Sequence, residues 1–276
     1  MKKLGLLCVI LVSKLVFAQD YHITYNFKYK EDSLSSNYSK RDFVLQIEPK
    51  KTKFILSDMI LGNKPMAPNS RMFYDIPMEQ GVERNKDTNE FTNYSVLNQS
   101  YYKIMSNDPI EWKIEKDTKE ENGYQLQKAT TTFGKRNWEA WFITSIPINE
   151  GPFKFHGLPG LIYSVQDSKS NFIYNLVEIK KLTEPYDTTN IIETHFGTKP
   201  ILITLKKYHE LIINDYSNPY ADYRGMKEGQ WSIMPSQNRM INTIKDLNEY
   251  SKEYQADLVR KNNPVELNKA VHFPTK

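Results

Sequence analysis

Cysteine is almost missing from this chain: Cys8 is the only one in 276 residues. It lies in an N-terminal stretch in which Met1-Lys2-Lys3, the apolar run Leu4 to Phe17 and Val16-Phe17-Ala18 before Gln19 have the layout of a cleavable secretory signal. Leu7 stands where a lipid-attachment site needs Gly, Ala or Ser, so lipidation at Cys8 is not expected. Cleavage after Ala18 leaves a mature chain with no thiol, which excludes disulfides, Cys-ligated zinc and a Cys nucleophile. Long apolar runs are missing too. The signal is shorter than a membrane span and carries Lys14, and no later stretch reaches the roughly 20 apolar residues a spanning helix needs. An excess of charge is also absent: without Lys2, Lys3 and Lys14 the balance is 34 basic to 33 acidic residues, which predicts neither nucleic-acid nor anionic-lipid binding. About 258 residues remain after cleavage, enough to bury a core without staples.

The familiar catalytic motifs are missing as well. His209-Glu210 begins like a zinc-protease helix, but Ile213 occupies the position of the second ligand. His22, His156, His195 and His272 have no partner at metal-ligand spacing. No Gly-x-Ser-x-Gly elbow occurs. Gly151 to Gly157 has the glycine spacing of a phosphate loop, yet Leu158 replaces the required Lys and Pro152 removes a backbone donor. No metal, cofactor or nucleotide is therefore expected.

Aromatics are plentiful, with 18 Tyr, 13 Phe and 4 Trp against 11 Gly, a mixture suited to cross-strand pairs in a β-rich core. Tyr21, Ile23, Tyr25, Phe27 and Tyr29 alternate with polar residues, and the same period of two recurs at Phe43 to Ile47. Strands are also expected at Thr52 to Leu56, Phe91 to Met105, Trp112 to Lys116, Tyr124 to Phe133 and Trp138 to Ile146, and a hairpin joins Leu161–Asp167 to Phe172–Ile179. The prolines of Ser57 to Asn89 predict an irregular excursion. Helical spacing appears at Leu202, Leu205, Tyr208, Leu211, Ile212 and Tyr216, and again at Met240, Ile244, Leu247, Tyr254 and Leu258, with a loop from Tyr220 to Met234 between. The expected fold is mainly β (α+β): a curved antiparallel sheet or half-open barrel with C-terminal helices. Residues 1–18 form the signal, 19–200 the β domain, and 201–276 a helical region packed on or beside the sheet.

The densest cluster of turn residues is Gly151-Pro152-Phe153-Lys154-Phe155-His156-Gly157-Leu158-Pro159-Gly160-Leu161-Ile162. Glycine and proline fix its path, and Pro159-Gly160 predicts a type II turn with positive φ at Gly160. Gly157 to Ile162 spell the signature of the GLPGLI family of Bacteroidetes envelope proteins, which the chain resembles. Tyr124, Lys128-Ala129-Thr130, Phe133-Gly134, Arg136, Trp138, Ala140-Trp141, Ile146-Pro147-Ile148 and Gly151-Pro152 extend the resemblance, as do Tyr208 to Pro219 and Asn263 to Leu267. A cysteine common in that family two residues after Tyr124 is replaced here by Leu126. The resemblance implies an envelope location without implying an activity.

Candidate site residues follow from these patterns. Trp138 and Trp141 point to opposite faces of a strand, and with Arg136 they suit either ligand stacking or an internal cation–π contact. His156 inside the stiff loop suits a backbone hydrogen bond or a ligand. Leu158 and Pro159, with Phe153, Phe155, Leu161 and Ile162, either plug the barrel or form an exposed docking patch. The expected function is that of an exported protein, periplasmic, outer-membrane-associated or secreted, that binds a hydrophobic ligand, peptide or envelope partner without catalysis. The alternative is an exported hydrolase with dispersed catalytic residues, His156 or His195 serving as base.

Overall fold

A computed structural model describes residues 20–61, 81–98, 100–195, 197–236 and 239–274. The expected signal at 1–18 and most of the expected excursion lie outside the described residues. The first hairpins form where alternation is strictest: β1 (Asp20–Tyr29), β2 (Ser39–Ile47) and β3 (Lys51–Leu56) pair as an antiparallel meander. They continue into β4 (Val82–Asn85), β5 (Glu90–Leu97) and β6 (Ser100–Asn107). A second meander comprises β7 (Lys113–Glu121), β8 (Tyr124–Phe133), β9 (Arg136–Ile143), β10 (Leu161–Asp167) and β11 (Phe172–Leu182). β11 joins the two by pairing along β1.

The sheet ends on β12 (Ile201–Ile203), which lies parallel beside β6. Its twelve strands run β12-β6-β5-β4-β3-β2-β1-β11-β10-β9-β8-β7, so the described edges are β12 and β7, and the sheet does not close. It is nevertheless strongly curved, because β4 and β5 meet the loop that follows β9, six and seven places away in strand order. Curvature gives the sheet a concave face, which Tyr25, Phe27, Phe43, Phe54, Trp138, Phe142 and Tyr174 fill with stacked and edge-on rings. The chain from β11 to β12 crosses the convex face. There Ile192 buries against Val44, Ile55 and Ile60, and the Lys53 ammonium meets Thr188 and Glu193, each at 2.8 Å.

Several expectations are corrected. The excursion contains a short helix α1 (Ser57–Leu61) and strand β4, whose sequence Val-Glu-Arg-Asn shows no apolar alternation because its ladders to both neighbours define it. Leu202 belongs to β12, and helix α2 (Leu205–Ser217) starts behind Thr204, whose side chain accepts from the Lys207 backbone. Met240 is 61% exposed in the small hairpin β13 (Ile233–Ser236) and β14 (Arg239–Ile241). The last long helix, α4 (Ile244–Arg260), begins only after Thr243 accepts from the Asp246 backbone. The expected loop from Tyr220 to Met234 contains one more helical turn, α3 (Ala221–Arg224), which Tyr220 enters at φ 59°. These pieces share a small core of Trp231, Ile241 and Leu247, separate from that of the sheet.

Candidate functional site

The stiff loop between β9 and β10 fills the concavity. Its backbone closes on itself: Gly157 N–H donates to Asn149 O, Leu161 N–H to Ile146 O and Ile162 N–H to Glu150 O, at 2.8 to 3.1 Å. Phe155 sits edge-on to Trp138 with centroids 4.7 Å apart, and Leu158, 1% exposed, lies in the same cluster while Pro159 faces solvent. The expected type II turn does not form as such. Gly157 takes the left-handed conformation at φ 91°, whereas Gly160 lies outside it and is required by proximity. A Cβ there would lie 2.2 Å from the Ile143 carbonyl oxygen.

Two buried charged clusters anchor the loop. The Lys154 ammonium, on a residue 1% exposed, bonds Asp108 Oδ2 and Glu266 Oε2 at 2.7 Å each, and Lys269 bridges the same two carboxylates. Burial alone would raise the Asp108 carboxyl, but Lys154 and hydrogen bonds from Lys154, Lys269 and Ser106 bring it below its ordinary value. Arg84 Nη2 meets both oxygens of Glu150, at 2.6 and 2.5 Å. Burial nonetheless leaves the Glu150 carboxyl above its usual range. Lys154 is the residue the sequence reading passed over. A lone cation in an otherwise apolar run was the available signal, since a fully buried lysine needs partners.

The remaining candidates occupy different places. The His156 ring lies between the Lys154 carbonyl, 2.8 Å from Nδ1, and the Asn89 side-chain amide, 3.0 Å from Nε2. Burial, helped by Arg84, lowers its pKa to about 4, so it is neutral at pH 7. Arg136 grips the C-terminal tail. Its guanidinium donates to the Pro264 and Val265 carbonyls and to Asn263 Oδ1, and lies 4.8 Å over Phe172. Trp138 is buried and donates to the Phe133 carbonyl, while Trp141 on the other face donates to Glu139 beneath the Lys119 ammonium. The loop and Trp138 thus come together, and Trp141 stands apart. Among the described residues no group of three His, Cys, Asp or Glu could hold a metal ion.

The tail held by Arg136 forms one wall of a cavity of about 370 Å³. The cavity opens between the ends of β1, β5 and β6, helix α2 and residues 261–271. Phe27, Ile104, Phe172, Leu205, Ile212 and Val265 give it an apolar lining, and its size falls within the ~300–1,000 Å³ of small-molecule sites. Sequence reasoning missed it, because its wall is assembled from six separate segments of the chain.

Residues 82–164, from β4 into β10, match the model of a family described as a protein of unknown function, Porph_ging. No curated protein matches. Among solved structures, PNGF-II in two space groups is similar to 71% of this chain at 18% identity, with TM-scores of 0.51 and 0.50. The match spans 33% of each of those longer chains and concerns the fold alone.

Proposed function

We propose that this is an exported, non-catalytic envelope protein of the GLPGLI type that binds an apolar ligand in the cavity between sheet and tail. The observation that carries the reading is that cavity: an apolar lining of small-molecule size. The loop supports it from below, since Lys154 and Arg136 tie loop and tail into one frame and preorganise the wall. Export rests on the N-terminal pattern, and protein recovered from the envelope should begin at Gln19 or within a residue or two. The hydrolase alternative gains nothing at His156, whose two ring nitrogens are both occupied by structural partners.

Titration with the neutral fluorescent probe N-phenyl-1-naphthylamine tests the binding reading. Saturable binding to the wild-type chain, lost when Ile212→Trp fills the cavity, is the expected result. Binding that Ile212→Trp leaves unchanged would place the site elsewhere.

A further inference from the structure

The cavity wall carries charge, but each of its carboxylates is already paired with a lysine. Lys261 pairs with Glu31 at 3.1 Å. Lys269 and Glu266 pair at 2.5 Å and belong to the cluster with Asp108 and Lys154. The remaining lining cation, Lys30, places its ammonium 5.1 Å from the centroid of the Tyr38 ring, which lies outside the cavity. A cationic head would therefore find no unpaired carboxylate, and an anionic head would have to draw Lys30 away from the Tyr38 ring, so either loses hydration at a cost.

The lining offers a neutral polar contact instead. His209 lines the cavity from α2, close to the backbone of Lys269. Burial, with a smaller contribution from His272, holds the ring below its ordinary pKa, so it is uncharged at neutral pH. A neutral imidazole carries an N–H donor on one nitrogen and a lone-pair acceptor on the other. The Asn93 amide nitrogen already donates to the Ile104 carbonyl and the Ser106 hydroxyl, so it has no donor left for a ligand.

We propose that the cavity selects an uncharged amphiphile: an alkyl or polycyclic body that fills the apolar lining and a hydroxyl that donates to the unprotonated ring nitrogen of His209. This rests on the binding reading above and names its ligand class. Dodecanol, dodecanoate and dodecylammonium share one chain length and differ in the charge of the head, so competition against bound N-phenyl-1-naphthylamine at pH 7.5, below self-association, separates them. Dodecanol should displace the probe at a concentration at least about tenfold lower than either ion, reflecting the cost of an unpaired charge. His209→Phe should raise the dodecanol concentration required by roughly fivefold, the size of one neutral hydrogen bond, after correction for each protein's own probe affinity. His209→Gln, which retains an acceptor, should recover much of that loss. Equal or better displacement by dodecanoate or dodecylammonium overturns the ligand class, as does a His209→Phe protein that retains full dodecanol affinity. If the probe itself does not bind the wild-type chain, the failure lies with the binding reading instead.

Discussion

At the scale of single residues, four positions in the loop are vulnerable for four different reasons. Leu158 is buried among rings, so Leu158→Ser should destabilise the fold by about 2–4 kcal/mol through lost burial and a residual cavity, read as a lower urea midpoint. An unchanged midpoint would mean the side chain is exposed in solution. Gly160→Val forces a Cβ into the Ile143 carbonyl, and the backbone must move because the contact is not with a flexible side chain. The same substitution at Gly157 meets no atom within 4 Å and is opposed by its φ of 91° instead. Lys154→Ala leaves two buried carboxylates sharing only Lys269, and should cost about 3 kcal/mol or more. Lys269→Ala should cost less, because Lys269 is partly exposed while Lys154 stays to pair both acids.

At the scale of elements, what was legible depended on how much of an element's identity lay in its own residues. The alternation of Tyr21 to Tyr29 carries its own inward face, and Leu161–Asp167 with Phe172–Ile179 carry theirs, so these strands were readable. Val82–Asn85 is a strand only because β3 and β5 flank it, and Ile201–Ile203 only because β6 offers an edge. The spacing that joined Leu202 to α2 and Met240 to α4 was periodic by coincidence, and the threonine caps Thr204 and Thr243 marked the true starts. The loop was legible from its turn residues, whereas the cavity depends on the tertiary meeting of α2, tail and sheet. The small core around Leu247 leads to a prediction at this scale. Leu247→Asp should unfold α4 and its hairpin through a buried charge while the sheet keeps its own transition. Two-step melting, with Trp231 fluorescence lost first, is the expected signature, and a single cooperative loss of all structure would refute it.

At the scale of the whole molecule, acid should weaken the fold well above the carboxylate range. Burial depresses His22, His156, His195 and His209, and His156 reaches about 4. Between their ordinary pKa of 6.5 and those lower values the unfolded chain binds more protons than the folded one, so stability falls as the pH is lowered through that window. Glu150, raised by burial, works in the opposite direction over the lower part of the window. Urea midpoints at pH 7.5 and 5 should differ, and His156→Gln should flatten the difference; a profile flat in the wild type would contradict the assignment. The open sheet has a further consequence at its two ends. An unclosed ladder presents unpaired N–H and C=O groups that a second chain could extend, the usual route to edge-to-edge aggregation. On one side the row is only three residues long, Ile201–Ile203, and its partner lies parallel. On the other, Lys113-Ile-Glu-Lys-Asp-Thr-Lys-Glu-Glu121 lines the edge with charge of both signs, and a chain approaching it would have to desolvate them. Replacing Lys116 and Lys119 with Val should leave the monomer folded and turn β7 into a template for fibrous assembly. Protection of that edge thus resides in a strand that contributes almost nothing to the core.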